Sequence, residues 1–170
     1  MPNWCQNTFE VFGPNEDVRR FTYDIHSGEG RGYAGPTLSF ERHLPTPPEM
    51  LEPTGSATGL PEWYNWRVLN WGTKWDASEV EKVLDQPDYV AGMALVTYSF
   101  VTAWSPPLEW LKRVLVQYPT LAAKLCYREE GMGFEGYMAI YNGQVVDEDE
   151  WEYRSYPGPE VDELAGLFET

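Results

Sequence analysis

Tryptophan is concentrated in one short segment of this chain, and that segment limits how the rest can pack. Four of the eight tryptophans lie between residues 63 and 77, with charged and amide side chains among them. We predict a helix from about Glu62 to Asn70 that ends at Gly72, because glycine tolerates the left-handed conformation just past a helix end. Indoles beside charges are costly to bury unless the polar groups find partners. The segment is therefore either a rigid plug at one end of a core or a recognition surface.

The size and composition of the chain predict one globular domain. It has 170 residues, of which 42% are hydrophobic and 15% aromatic, enough to bury a sizeable core. No apolar run approaches the roughly 18–20 residues that span a bilayer, and the first residues lack the features of a secretory signal. Cys5 and Cys126 have no metal-ligand spacing and are expected to be buried thiols in a reducing compartment. We therefore expect a cytoplasmic protein with no membrane, metal or cofactor partner.

Negative charge is concentrated near the end of the chain. The net charge is −15; residues 1–128 contribute −4 of it (15 acids, 11 bases) and residues 129–170 contribute −11 (12 acids, one base). Nucleic-acid binding depends on Lys and Arg that neutralise phosphates, so this distribution disfavours direct nucleic-acid contact. It favours a basic partner, although a merely solvated acidic tail has the same composition. The candidate binding acids are Asp147, Glu148, Asp149, Glu150 and Glu152.

Alternating and helical spacings predict an α+β order of elements. A strand is expected at residues 4–12, followed by a helix from Asn15. A strand of β-branched and aromatic residues is expected at 92–104, and Ser105 is expected to cap the next helix. The remaining predicted elements are a strand at 37–42, a helical turn at 78–84, strands at 121–130 and 133–141, and a terminal helix at 157–168.

This order fits the split βαβ or ferredoxin-like arrangement, in which two βαβ halves form an antiparallel sheet with helices on one face. Residues 1–145 form the predicted domain, and residues 43–90 are a large aromatic-rich insertion within it. Residues 146–170 are predicted to be an acidic C-terminal extension that packs on the same domain. The first strand and the strand at 92–104 are expected to be central neighbours.

Four short motifs resemble the YubB-like ferredoxin-like domain, a domain of unknown function in small proteins of bacterial plasmids, phages and related mobile elements. The motifs are Met1–Asn7, Trp63–Arg67, Asn70–Ala77 and Thr102–Pro107. The matches extend from residue 1 to about residue 145, and the acidic tail lies outside the resemblance. The resemblance implies a ferredoxin-like fold and a mobile-element setting, and it supplies no catalytic residues.

The same motifs predict an aromatic cluster at one edge of the sheet. Trp4 begins one central strand and Trp104 follows the end of its antiparallel neighbour, so we expect them to lie close together. Trp63 and Arg67 are four residues apart on the predicted helix and share a face, from which Arg67 is expected to reach Asp76. The candidate residues of this binding surface or structural cluster are Trp4, Trp63, Trp66, Arg67, Trp71, Lys74, Trp75, Asp76 and Trp104.

Motifs for catalysis are few. The two histidines lie in no metal-binding or nucleophile motif, and Ser105 lacks a surrounding Gly-x-Ser-x-Gly elbow. The sequence has no phosphate-binding loop of the P-loop type. A non-enzymatic protein is therefore favoured, and an enzyme with a site near Arg67, Lys74 and Asp76 is kept as an alternative.

A second alternative is a module that binds single-stranded nucleic acid, since ferredoxin-like sheets can stack bases on aromatic side chains. The candidate rings are those of Tyr98, Phe100 and Tyr127. However, the strand at 92–104 lacks the basic-glycine-aromatic signature of an RNA-recognition sheet, and the net charge is unfavourable.

Protein binding is the function that the sequence favours. An acidic, aromatic-rich protein of a mobile element can present carboxylates where a host protein expects phosphates. We therefore predict that it binds a basic, nucleic-acid-binding host protein, with the acids at 147–152 increasing the association rate and aromatic residues prolonging the complex. The predicted consequence is inhibition of a nuclease, restriction or CRISPR-type defence complex. The same residues also fit an acidic accessory module with an unrelated partner.

Overall fold

The computed structural model describes residues 3–25, 38–52 and 59–153 of the chain. The predicted terminal helix at 157–168 lies outside these residues. The strands are β1 (Trp4–Pro14), β2 (Ser78–Val90), β3 (Met93–Ala103), β4 (Ala122–Glu129), β5 (Phe134–Tyr141) and β6 (Gln144–Glu152). The helices are α1 (Asn15–Ile25), α2 (Phe40–His43), α3 (Pro48–Leu51), α4 (Glu62–Trp71) and α5 (Leu108–Leu115). Within this described part, no helix has the length and apolar character needed to cross a bilayer.

Six strands form one antiparallel sheet in the order β2-β3-β1-β4-β5-β6. β1 lies between β3 and β4 and is antiparallel to both. Because β2 is also antiparallel to β3, β1 and β2 run parallel with β3 between them, and α1 lies in their connection. This is a split βαβ unit, and α5 connects β3 to β4 in the second half. The predicted ferredoxin-like α+β fold is confirmed.

The hydrophobic core lies between the sheet and the helices α1 and α5. Cys5, Phe9 and Val11 of β1 are fully buried, as the alternation in the sequence predicts. The Phe9 ring contacts Phe21 of α1 and Trp110 of α5, with ring centroids 6.0 and 6.2 Å apart. We call this side of the sheet the covered face and the opposite side the open face.

Two predicted elements are wrong, and both errors concern the second strand of the fold. Residues 40–42, predicted as part of a strand, belong to α2, and the backbone N–H groups at its start donate to the Asp76 carboxylate. Residues 78–84, predicted as a helical turn, begin β2. β2 is rich in Glu, Lys and Asp, which are poor strand formers, and it carries register shifts typical of a protected edge strand. Pairing with β3 decides its conformation, and local spacing does not reveal that pairing.

Both edges of the sheet come from segments that the sequence pattern places outside it. β2 lies within residues 43–90, and most of β6 lies within residues 146–170. β5 and β6 are joined through Asn142 and Gly143, which both have positive φ angles (52° and 70°), as a type I′ hairpin turn requires. The acidic segment at 147–152 is therefore part of the sheet.

The helix predicted at 62–70 is confirmed as α4, which ends at Trp71. Gly72 has a φ angle of 89°, and a side chain there would collide with the backbone at the start of α5. The predicted capping role of Ser105 is wrong, since α5 begins only at Leu108. The Ser105 hydroxyl instead donates to the Gly72 carbonyl at 2.5 Å. This bond fixes the end of α4 against the start of α5.

Candidate binding surface

The acids at 147–152 occupy one edge strand of the sheet. β6 pairs with β5 on its inner side and is the last strand in the sheet order. The five side chains therefore lie along the outer margin of the sheet, distributed over both of its faces, and we call this margin the acidic edge. The acidic edge consists of Asp147, Glu148, Asp149, Glu150 and Glu152, all of which are exposed.

Successive carboxylates of the acidic edge point to opposite faces of the sheet. On the open face, the Tyr137 hydroxyl donates to Asp147 at 2.8 Å. On the covered face, the Tyr127 hydroxyl donates to Glu150 at 3.1 Å. Gly136 permits this second bond, because a Cβ there would lie 2.6 Å from the Tyr127 oxygen. Burial and the nearby Glu150 charge raise the pKa of Tyr127, so its hydroxyl remains a donor.

Four acids of the acidic edge, Asp147 to Glu150, form no ion pair with cations of the described part of the chain. Two cations lie on β4, which β5 separates from β6, and have other contacts. Lys124 lies over the ring of Tyr137, the donor to Asp147, at 4.9 Å. Arg128 donates to Gln6 at 3.0 Å and pairs with Glu130 at 3.5 Å. The negative field of β6 therefore faces outward.

The open face forms a groove of about 600 Å³. Its floor consists of small polar side chains from the central strands, with Arg128 of β4, whose guanidinium pairs with Glu130, also lining the groove. The wall beside the acidic edge carries aromatic rings, and the wall on β2 carries carboxylates. Such a groove suits a cationic segment, because carboxylates pair with Lys and Arg and aromatic faces attract the same cations. The residues concerned are Thr8, Ser99 and Cys126 on the floor, Tyr137 and Trp151 on the aromatic wall, and Glu79 and Glu81 on the acidic wall.

The titratable groups of the sheet are shifted mainly by burial. Desolvation raises the pKa of Cys126, with Lys124 acting against the shift and Glu10 adding to it. Desolvation likewise raises the pKa of Glu10, again opposed by Lys124. On the covered face, burial raises the pKa of Cys5 to about 12. Neither thiol is therefore activated as a nucleophile.

In the described ranges, no group of three or more His, Cys, Asp or Glu side chains is arranged to hold a metal ion.

The two thiols are expected to differ in their reaction with iodoacetamide. At about pH 8, Cys126 should react several-fold more slowly than a free cysteine, because its raised pKa lowers the thiolate fraction. Cys5, which is fully buried, should react only when the protein unfolds. Mass spectrometry of each cysteine peptide over time, with and without denaturant, measures both rates. Equal rates for the two thiols in the folded protein would contradict this arrangement.

The tryptophan-rich segment forms two clusters, which meet where the ring centroids of Trp63 and Tyr64 lie 5.9 Å apart. In the first, the Arg67 guanidinium lies over the rings of Trp63 (5.1 Å) and Trp71 (4.7 Å), and its contact with Trp63 is as predicted. The predicted contact with Asp76 is wrong, because the guanidinium pairs with Glu41 of α2 at 3.3 Å. We call this group the Arg67 cluster; it comprises Glu41, Thr46, Trp63, Trp66, Arg67 and Trp71.

The Arg67 cluster is anchored in the core. Trp71 is fully buried, and its indole N–H donates to the Leu44 carbonyl at 2.9 Å. Its ring lies edge-on to Phe40 at 5.8 Å and to Trp66 at 6.1 Å. This half of the tryptophan-rich segment is therefore the rigid plug, with Arg67 closing it from the solvent side.

The second group, which we call the Lys74 cluster, lies where β1 begins and β3 ends. Trp4 and Trp104 are close, as predicted, since the residue before Trp104 is the register partner of Trp4. Trp4 also contacts Trp75, with ring centroids 6.2 Å apart. The Lys74 ammonium lies over the rings of Trp75 (4.2 Å), Tyr64 (5.9 Å) and Trp104 (5.9 Å). The indoles of Trp4, Trp75 and Trp104 are between 37% and 43% exposed, so this half of the segment lies on the surface.

Asp76 belongs to neither cluster. Its carboxylate accepts hydrogen bonds from the Phe40 N–H (2.6 Å), the Ser39 hydroxyl (2.7 Å) and the Ala77 N–H (2.8 Å), with a longer contact from the Glu41 N–H (3.4 Å). Desolvation raises the pKa of Asp76, although these hydrogen bonds favour the charged form. Asp76 therefore holds the start of α2, a structural role.

The sequence pattern does not single out the rings beside the acidic edge, Tyr137 and Trp151. Their place follows from the β5–β6 hairpin, and the sequence contains a signal for it. Asn142 and Gly143 are the strongest dipeptide for a two-residue hairpin turn, and the apolar residues at 145–146 follow it. This pattern indicates a strand through the acidic segment, whereas net charge alone indicates a tail.

Comparisons with known proteins agree with this architecture. Residues 70–166 match a family model described as a ferredoxin-like domain in Api92-like protein. The crystal structure of a protein api92 from Yersinia pseudotuberculosis has a similar fold, with a TM-score of 0.65 at 12% sequence identity over 93% of this chain and 100% of that chain. No curated protein sequence matches the chain. Because the family model spans more than half of the sequence, the chain belongs to the family of Api92-like proteins that contain this ferredoxin-like domain.

Proposed function

We propose that this protein is a non-enzymatic binding protein of a mobile element, and that its acidic edge docks onto a basic, nucleic-acid-binding host protein. In that position it takes the place of nucleic acid and inhibits a defence complex of the restriction or CRISPR type. The observation that supports this function is the row of exposed carboxylates along both faces of β6.

The spacing of these carboxylates supports the proposal. A β-strand rises about 3.4 Å per residue, so the four consecutive acids at 147–150, counted over both faces of the edge, place one negative charge about every 3.4 Å along the strand axis. One strand of B-DNA carries one phosphate charge per roughly 3.4 Å of its axis. A protein that reads a phosphate backbone with Lys and Arg therefore meets a similar linear charge density on β6.

The groove on the open face supplies a second set of contacts for the same partner. Asp147 and Asp149 border it from β6, since they pair in register with open-face residues of β5. A Lys or Arg of the partner can lie against Trp151 while its charge reaches these carboxylates, whereas the protein's own Lys124 lies over the Tyr137 ring. The acidic edge then attracts the partner, and the aromatic wall slows its release.

Geometry gives less support to the nucleic-acid alternative. Tyr98, Phe100 and Tyr127 are 0%, 2% and 6% exposed and belong to the core. Their rings pack on the covered face and cannot stack on a base. The enzymatic alternative requires the side chains of Arg67, Lys74 and Asp76 to lie in one site. The rings that contact Lys74 are not among the residues that pair with Arg67 or donate to Asp76, so the geometry gives this alternative less support.

The proposal is tested by capture of host proteins on the tagged protein and on a variant whose edge is neutral, Asp147→Asn/Glu148→Gln/Asp149→Asn/Glu150→Gln. Capture from bacterial lysate at about 0.1 M and about 1 M salt changes the Debye length from about 10 to about 3 Å. We expect a nucleic-acid-binding protein that is retained at low salt, released at high salt and displaced by duplex DNA. The neutral-edge variant should not retain it.

A matched control removes the same number of charges away from the sheet, as Glu16→Gln/Glu49→Gln/Glu52→Gln/Glu62→Gln. This variant should retain the partner, because the local field of β6 rather than the net charge makes the contact. If the neutral-edge variant captures the same proteins as the wild type at both salt concentrations, the proposed function is wrong. Retention that duplex DNA does not affect would exclude the phosphate-like mode of binding.

A further inference from the structure

A small cavity opens beside Lys74, on a surface that the proposed function does not use. It has a volume of about 190 Å³ and is lined by Tyr64, Val68, Lys74, Trp104 and the residues next to Trp104. At about 30 Å³ per water molecule in the liquid, it has room for about six waters or for one short polar side chain. The cavity is therefore a recess for a single group rather than a channel.

The ammonium group in this cavity has no acceptor among the described residues. Lys74 forms no ion pair or hydrogen bond with the described residues, and its contacts there are the faces of aromatic rings. Ring faces stabilise the positive charge by about 0.5–2 kcal/mol, but an ammonium has three N–H donors that favour oxygen. The backbone of Trp104, beside the ammonium, is anchored because its N–H donates to the Asn3 carbonyl at 3.0 Å. Trp104 has a φ angle of 72° there.

The surface around the cavity offers further donors and apolar area. The indole N–H groups of Trp4, Trp75 and Trp104 donate no hydrogen bond to a described residue, and all three indoles are exposed. Val68, on the cavity wall, is 42% exposed. Aromatic side chains with one cation are the composition of an interface hot spot. A ligand with one anionic group between apolar groups complements this surface.

We propose that the Lys74 cluster binds an acidic side chain of a partner protein, with the carboxylate at the Lys74 ammonium and the flanking apolar residues on Trp75 and Trp104. The protein's own charge selects this ligand. At a net charge of −15, the protein repels a polyanion at long range, and a phosphate of about −1.5 to −2 is repelled more than a carboxylate. Among anionic ligands, a single carboxylate carried on an apolar peptide therefore meets the least repulsion.

The experiment uses two probes that differ in one charge, acetyl-Leu-Glu-Leu-amide and acetyl-Leu-Gln-Leu-amide. Each is titrated into the ¹⁵N-labelled protein while the indole N–H resonances are followed by NMR. We expect the Glu peptide to shift the Trp75 and Trp104 resonances in a saturable manner, with an affinity about tenfold higher than that of the Gln peptide. This comparison needs no variant and is independent of the acidic edge.

Two variants assign the effect to Lys74. Lys74→Met keeps the aliphatic stem against Trp75 and should weaken binding of the Glu peptide about tenfold, whereas Lys74→Arg should retain most of it. Lys112→Met, on α5, is the matched control and should bind as the wild type does. Equal shifts with both peptides, or undiminished binding by Lys74→Met, would overturn the proposal. Tighter binding of the dinucleotide dTpdT at the same indoles would also overturn it and would indicate a nucleic-acid site.

Discussion

Replacing Trp71 with alanine is expected to lower the free energy of unfolding by about 3–5 kcal/mol. The Trp71 ring is fully buried and contacts Phe40, Trp66 and Arg67, so its removal leaves a cavity that links α2, α4 and the core. The change is large because native proteins are stable by only about 5–15 kcal/mol. Urea denaturation followed by far-UV circular dichroism measures it.

Trp71→Phe tests the contribution of the aromatic ring separately from that of the indole hydrogen bond. Phenylalanine keeps most of the aromatic volume but cannot donate to the Leu44 carbonyl, which Trp71 reaches at 2.9 Å. An orphaned buried acceptor costs about 1–3 kcal/mol, so this variant should lie between the wild type and Trp71→Ala. Trp75→Phe, at an exposed position, should change stability by less than about 1 kcal/mol. Equal losses for the Trp71 and Trp75 variants would contradict the division of the segment into plug and surface.

Replacing Asp76 with alanine is expected to cost about 2–4 kcal/mol of stability. The carboxylate accepts the Phe40 N–H at 2.6 Å, the Ser39 hydroxyl at 2.7 Å and the Ala77 N–H at 2.8 Å. Alanine leaves these donors without an acceptor, and each buried orphan costs about 1–3 kcal/mol. The loss of the carboxylate's own desolvation penalty offsets part of this sum. The start of α2 should therefore lose its anchor. Thermal unfolding measures the loss, and hydrogen exchange of the Phe40 amide locates it.

Asp76→Asn is the matched variant, because its amide keeps one acceptor oxygen in the same position. It should retain part of the stability and part of the exchange protection at Phe40. The residue next to Asp76 on the surface side gives a second control, since Trp75→Phe leaves the hydrogen bonds to α2 intact. Unchanged protection of the Phe40 amide in Asp76→Ala would show that α2 is held by other contacts.

The central strands could be predicted from local spacing, and the edges of the sheet could not. β1 and β3 alternate clearly or are rich in β-branched and aromatic residues, because one or both of their faces are buried. β2 and β6 are edge strands with polar, charged sequences, as protection against edge-to-edge association requires. In these two strands the charged residues therefore obscure the alternation by which a strand is predicted. The assignment of residues 78–84 to a helical turn was wrong for this reason.

The sequence predicts which residues belong to the candidate site, but it does not predict all of the contacts between them. The acids of 147–152 and the proximity of Trp4 to Trp104 follow from composition and strand order. The partner of Arg67 does not, because Glu41 reaches it from α2, an element that local spacing predicts as a strand. A contact between residues 26 positions apart depends on tertiary packing, and helical spacing links only residues three or four apart. The spacing therefore places Arg67 beside Trp63 and leaves its ion pair open.

The most direct test of the acidic edge is the affinity of its captured host partner for two proteins, the wild type and the neutral-edge variant. Calorimetry at about 0.1 M and about 1 M salt gives both dissociation constants. Four exposed charges at about 0.5 kcal/mol each predict a dissociation constant about 30-fold higher for the variant at low salt. At high salt the two values should converge. Equal affinities at low salt, or a difference that high salt does not reduce, would contradict a phosphate-like role for β6.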